Sequence, residues 1–232
     1  MTPLVDRPRG RADVSIPADG VQLGGEMHIA VGASGIVVFA HGSGSSRHSP
    51  RNQFVARQLQ KSGFATLLMD LLEEEEAQDR DKVFDIGLLA ARLLAATHWL
   101  GNKPATRSLR IGYFGASTGA AAALVAAAKE PAKVSALVSR GGRPDMALPW
   151  LSKVKAPTLL IVGERDVAVL DWNQDAYRHL TAEKALVIVP GATHLFEEPG
   201  TLESVAREAC RWFLRYLSPE TARPAAAEKA YP

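Results

Sequence analysis

The sequence predicts an α/β fold: an open, mostly parallel sheet with helices on both faces. Three observations carry that prediction. Short, mainly apolar runs recur along the chain at 36–40, 65–69, 134–138 and 157–162, the first of them continuously apolar, as strands buried on both faces require. Amphipathic stretches of helical period lie between them. Turn residues follow the runs, in HGSGSS (41–46), GASTG (115–119), GERD (163–166) and GATH (191–194).

The chain opens with alternation at 14–16 and a second strand over 21–31. Asp19-Gly20 between them reads as a hairpin turn. The first buried strand, 36–40, feeds the glycine-serine loop 41–46. A helix with Phe54, Val55 and Leu59 on one face stops at Gly63, and the strand 65–69 follows. Glu73 to Glu76 reads as a solvated, charged connector, because no histidine or second acidic cluster flanks it as a metal site would need. One long helix fits 83–100 and ends at Gly101-Asn102. The strand at 109–114 runs into GASTG and an alanine-rich helix. A strand at 134–138 precedes Arg140-Gly141-Gly142-Arg143, and a short helix fits 145–151. A strand over 157–162, a helix at 174–180, a strand over 186–189 and a closing helix over 202–217 complete the pattern. Residues 1–217 are expected to form one domain, and the Ala-, Pro- and charge-rich 218–232 a mobile tail.

Composition narrows the function classes. The 232 residues fit one α/β domain, and 47% are hydrophobic. A formal net charge of +2 gives no footprint for nucleic acid or a membrane surface. Cys210 is the single cysteine, so an intrachain disulfide is impossible. No apolar run approaches the roughly 20 residues of a membrane span, and the N-terminus has no signal-peptide core. A cytoplasmic protein is the expectation.

Ligands of such sheets bind at the carboxyl ends of the strands. The loops there carry His41 to Ser46, Ser117, Arg140, Arg143, Asp166 and His194. In GASTG the serine follows a strand and opens a helix. A turn that tight strains the serine backbone and demands small residues two positions before and after it, here Gly115 and Gly119. The competing reading is an ordinary loop with a serine N-cap. A serine nucleophile needs a base, and the base needs a carboxylate to fix its tautomer. Ser117, Asp166 and His194 follow in that chain order, each just after an expected strand. Asp145, Asp171 and Asp175 compete for the acid role. His28, His48, His98 and His179 fall in strand, loop or helix settings that suggest surface or packing roles. Thr118, after the serine, would donate one backbone N–H to an oxyanion. Ser43 would donate the second, with Gly44 as the alternative. Arg140 and Arg143 pair with local acids such as Asp145, or one of them, Arg140 first, faces the Ser117 pocket and favours an anionic ester.

On HGSGSS, GASTG, GERD and GATH, over roughly 14–217, the chain resembles an α/β-hydrolase of the small branch related to dienelactone hydrolase. Dienelactone hydrolases proper use a cysteine nucleophile; Ser117 stands here instead, which favours an ordinary carboxylic ester. A cap domain is often inserted in this family after the strand that ends near Ser139. Only about 17 residues separate that point from the strand at 157, room for one short helix and no cap. The resemblance implies a serine esterase acting on a small-molecule ester without metal or organic cofactor. Thioesterase, lactonase and amidase chemistry share the mechanism. A non-catalytic interaction module on the same fold is the alternative from a different class. Oligomeric state is not written in the sequence.

Overall fold

Each apolar run splits its side chains between two cores, and that alternation builds the molecule. In the strand Gly35–Ala40, Ile36, Val38 and Ala40 enter one core and Val37 and Phe39 the other. The computed structural model describes residues 10–218. Its strands are β1 (Gly10–Ala18), β2 (Val21–Ile29), β3 (Gly35–Ala40), β4 (Ala65–Met69), β5 (Arg110–Ala116), β6 (Ala136–Arg140), β7 (Thr158–Gly163) and β8 (Lys184–Val189). They form one eight-stranded sheet in the order β1-β2-β4-β3-β5-β6-β7-β8. β3 to β8 are parallel, and β1 and β2 add an antiparallel edge. The expected hairpin turn is present, with positive φ at both Asp19 (44°) and Gly20 (82°), as a two-residue turn of the right twist needs.

The helices are α1 (Pro50–Lys61), α2 (Arg80–Phe84), α3 (Ile86–Gly101), α4 (Thr118–Lys129), α5 (Val167–His179) and α6 (Thr201–Leu217). α1 and α6 cover one face, packing Val55, Leu59, Phe213 and Leu217 against Val37, Phe39 and Phe114. α3, α4 and the flank of α5 cover the other, with Leu89, Leu93, Leu124 and Ala176 against Ile36, Val38 and Tyr113. This is the α/β-hydrolase architecture. Between β6 and β7 stands only a ten-residue 3-10 helix, Pro144–Lys153, and no cap domain.

Four expectations need correction. The helix expected over 83–100 is broken at Asp85, which ends α2 and caps α3 by accepting the Leu88 N–H at 2.9 Å. α5 begins at Val167, directly after Asp166, and not at 174. β6 lies two residues later than expected, so Arg140 is its last residue and not part of the following loop. The acid run is not uniformly solvated: Glu76 is largely buried and pairs with Arg92 and Lys82. Of the expected tail, Ser218 is buried and its carbonyl accepts from Arg110 at 3.3 Å; 219–232 lie outside the described residues. Among the described residues no helix is long and apolar enough to cross a membrane.

The chain leaves β3 towards β4 on one side and returns to β5 on the other. That reversal opens a crevice at the carboxyl ends of β3 and β5, where ligands of open α/β sheets bind.

Candidate active site

Ser117 links β5 to α4 with φ 50° and ψ −121°. A non-glycine residue there costs about 1–3 kcal/mol and persists only where its surroundings hold it. Two hydrogen bonds, one to the end of β6 and one from the loop after it, do so. The Ser117 N–H donates to the Arg140 carbonyl (3.2 Å), and the Arg143 N–H donates to the Ser117 carbonyl (3.1 Å). The flanking glycines are sterically required. A Cβ at Gly115 would lie 2.4 Å from the Ala120 Cα, and one at Gly119 would lie 2.3 Å from the carbonyl oxygens of both Ala40 and His41. Ser117 occupies the N-cap position of α4, yet its side chain makes no capping bond. The N-cap reading of this serine is therefore excluded.

Asp166 repeats that pattern one strand pair away. It sits at the N-cap of α5, just past β7, and its carboxylate does not cap the helix. Instead Oδ2 meets His194 Nδ1 at 2.6 Å. His194 follows β8 in a loop tied down by the Gly191 N–H to Glu164 and the Thr193 N–H to Glu198. Its ring lies against Gly141, where an added Cβ would come within 3.4 Å of Cε1 and Nδ1. With Nδ1 committed to Asp166, Nε2 is the nitrogen left for other chemistry. Among the described residues Ser117 Oγ has no hydrogen-bond partner, so the link from His194 to Ser117 is open in this structure. The competing Asp145 is held at both oxygens by Arg143, at 2.9 and 2.7 Å. Asp175 faces Arg178 and His179.

The loop after β3 is bolted in place by His41, a residue whose role the sequence reading missed. Its Nε2 accepts the Leu71 N–H (3.1 Å), which forces the proton onto Nδ1, and Nδ1 donates to the Gly42 carbonyl (2.9 Å). The imidazole is therefore neutral, and burial pushes its pKa below the ordinary value. The next N–H, that of Ser43, is not a free donor: it points to Thr118 Oγ1 at 2.9 Å. Gly44 has φ 67° and turns the loop back. The Thr118 N–H lies in the first turn of α4, where helix geometry supplies no acceptor.

A cleft of about 900 Å³ opens on the α3 side of this loop, bordered by Ser43, Thr118, Leu72, Glu74, Val83 and Leu89. It reaches the site through Ser43 and Thr118; Ser117 is not in its wall. Of the two candidate arginines, Arg143 is engaged by Asp145 and stacks 4.3 Å over the ring of Trp172, as the local-acid reading has it. Arg140 is buried at the end of β6 with the ring of Phe196 5.9 Å from its guanidinium. Among the described residues no group of three His, Cys, Asp or Glu side chains gathers to hold a metal ion.

Comparison with known proteins fits this geometry. The model of the dienelactone hydrolase family matches residues 26–221. A crystal structure of dienelactone hydrolase from Anabaena variabilis is 57% identical, with a TM-score of 0.87 over 89% of this chain and 98% of that one. Est1E from Butyrivibrio proteoclasticus shares the fold at 17% identity, with a TM-score of 0.76 over 88% of this chain and 98% of that one. A Mycobacterium tuberculosis protein named "Putative phosphoribosyl transferase" is 57% identical over 212 residues, 91% of this chain and 48% of that protein. The chain thus spans about half the length of that relative. With its sheet order, its strained serine turn and a family match over most of its length, the chain belongs to the dienelactone hydrolase family.

Proposed function

We propose that the chain is a serine hydrolase that cleaves small carboxylic esters through an acyl-enzyme on Ser117. The observation that carries this reading is the double sacrifice of N-caps. Ser117 and Asp166 both stand at N-cap positions, where a capping side chain stabilises by about 0.5–2 kcal/mol, and neither side chain caps. Asp166 spends its carboxylate on His194, and Ser117 leaves its hydroxyl free.

In the reaction, His194 Nε2 takes the Ser117 Oγ proton as Oγ attacks the ester carbonyl. Asp166 holds the ring in the required tautomer and stabilises the imidazolium. The tetrahedral intermediate collapses as the imidazolium protonates the leaving alkoxide, and alcohol departs. Water, deprotonated by the same histidine, then attacks the acyl-enzyme and releases the acid and free Ser117. The oxyanion is held by the Thr118 N–H and by the Ser43 N–H, the latter after the Thr118 hydroxyl swings away. Each such donor contributes about 3–4 kcal/mol. The single cysteine is compatible with the reducing cytoplasm, where we place the activity.

A fluorophosphonate probe tests the reading. It should label one serine, and peptide mass spectrometry should find the adduct on Ser117. Ser117→Ala should abolish labelling and lower kcat by about a millionfold. Labelling elsewhere, with Ser117→Ala fully active, would sink the assignment. A panel of p-nitrophenyl esters, acyl thioesters and lactones, run in parallel, identifies the preferred leaving atom.

A further inference from the structure

Arg140 has its backbone in the site and its side chain outside the reaction just described. Its carbonyl accepts the Ser117 N–H, and its neighbour Gly141 packs on His194. Its side chain turns to the α1/α6 face, beside the ring of Phe196. There the residue is only 7% exposed, and Nε and Nη1 are sealed from solvent without a hydrogen-bond partner. Among the described residues no carboxylate pairs with it. A buried guanidinium in that condition is expensive unless something neutralises it.

The charged group that bears on it is a second arginine. Arg51, in the first turn of α1, acts on Arg140 as a like charge, and its own Nε is also buried and unpaired. Burial first and Arg51 second bring the Arg140 pKa down to about 10, so its guanidinium remains cationic at neutral pH. Arg51 keeps 30% of its side-chain surface exposed, and Glu197, its partner at 3.2 Å, is 64% exposed. A pair so open to water is weak. Arg51 is thus the accessible wall of the cluster and is free to be recruited.

Phe196, two residues past His194, holds φ 55° while its ring is buried in this core. Two forks that repel each other, at the positive end of a helix, match an anion with more than two oxygens and more than one charge. A phosphate group meets that description better than a single carboxylate.

We propose that Arg140 and Arg51 form a phosphate-binding subsite at the N-terminus of α1, behind the loop that carries His194. The phosphate is borne by the ligand of the Ser117 site or is free inorganic phosphate. The subsite does not depend on Ser117 being a nucleophile.

The test is thermal unfolding of the full chain against inorganic phosphate, with chloride and acetate at matched ionic strength, in wild type and in Ser117→Ala. Phosphate should raise Tm saturably in both, by about 5–10 °C at a hundredfold excess over Kd. Chloride should not, and acetate should do much less. Arg140→Met should remove the response, and Arg51→Gln should move its midpoint about tenfold higher. Should Arg140→Met fail to fold, Arg140→Lys and Arg51→Gln carry the comparison. A flat wild-type curve overturns the subsite, as does a rise that these variants leave intact. An acetate response equal to that of phosphate overturns the phosphate assignment. A second arm compares kcat/KM for the acetyl ester of glycerol phosphate with that for acetylglycerol. A roughly tenfold preference that Arg140→Met erases assigns the phosphate to the substrate. Saturable stabilisation without that preference assigns it to the free ion. Fluorophosphonate labelling reads the hydrolase proposal separately, so failure of one is distinguishable from failure of the other.

Discussion

His194 is oriented by one 2.6 Å contact, and the rival acid is already spent on Arg143. Asp166→Asn should therefore lower kcat by about 10⁴-fold through the wrong imidazole tautomer. Asp145→Asn should leave kcat within a few-fold of wild type, since it loses only a partly exposed ion pair. The reverse pattern in steady-state rates would move the acid role to Asp145. His41 supplies a pH effect of its own. Its folded pKa lies below the unfolded value of about 6.5, so the unfolded chain binds the extra proton first. Its stabilising neutral form is fully present above about 6.5, and stability falls as pH drops from there towards the folded pKa. Urea midpoints from pH 7.5 to 5 should show that loss, and His41→Ala, less stable at pH 7.5, should show a flatter slope over the same range. Ser117, Asp166 and His194 are legible in the sequence because each lies in the short loop that follows an apolar run. His41 and Arg140 are less so. The bolt made by His41 needs the Leu71 N–H, thirty residues away. The burial of Arg140 depends on β6 ending at residue 140.

The element that fixes the site is the β5–Ser117–α4 turn, and its tolerance is set by backbone and not by side chains. Alanine at an exposed helical glycine normally stabilises by about 1 kcal/mol. At Gly119 the sign should reverse, because the methyl would meet the carbonyl oxygens of Ala40 and His41 at 2.3 Å. These carbonyls belong to the last residue of β3 and the first of the loop after it, and cannot withdraw without moving the loop that presents Ser43. Gly119→Ala should cost about 3 kcal/mol or more in urea unfolding and should also slow fluorophosphonate labelling. A variant as stable as wild type would show that the strand and helix are less tightly apposed than here. Most elements are readable from periodicity, and the misplaced boundaries share a cause. Asp85 breaks the 83–100 helix by a local capping bond that the apolar spacing does not register. α5 begins at Val167, directly after Asp166, whose carboxylate is turned to His194 and not to the helix end. Glu76 is drawn inward by Arg92, sixteen residues on, a pairing that a run of four acids conceals.

At the scale of the whole molecule, the site is a crevice at a strand-order reversal, and for the proposed serine hydrolase what covers it would decide the acyl preference. Between β6 and β7 the chain spends its residues on the 3-10 helix Pro144–Lys153, which packs on α4 and α5 and brings no cap with it. An acyl chain carried on Ser117 Oγ and running over that side would stay in water, so added methylenes should gain little. A methylene fully buried in an enclosed channel contributes about 0.8 kcal/mol, roughly fourfold in kcat/KM when the burial is realised in the transition state. The rival route is the cleft of about 900 Å³ beyond Ser43 and Thr118, whose wall includes Leu72, Val83 and Leu89. That wall also carries Glu73 and Glu74, and the Ser43 N–H to Thr118 Oγ1 bond lies at its border with the site. A long acyl chain entering it would pass Ser43 and Thr118 into a wall that mixes these carboxylates with apolar side chains. For p-nitrophenyl esters from acetate to octanoate, kcat/KM should therefore gain less than about twofold per methylene and level off or fall beyond butyrate. A sustained fourfold climb to octanoate would mean that the cleft takes the acyl chain. In that case Leu89→Gln, which places an amide in the cleft wall, should flatten the climb and leave acetate turnover near wild type.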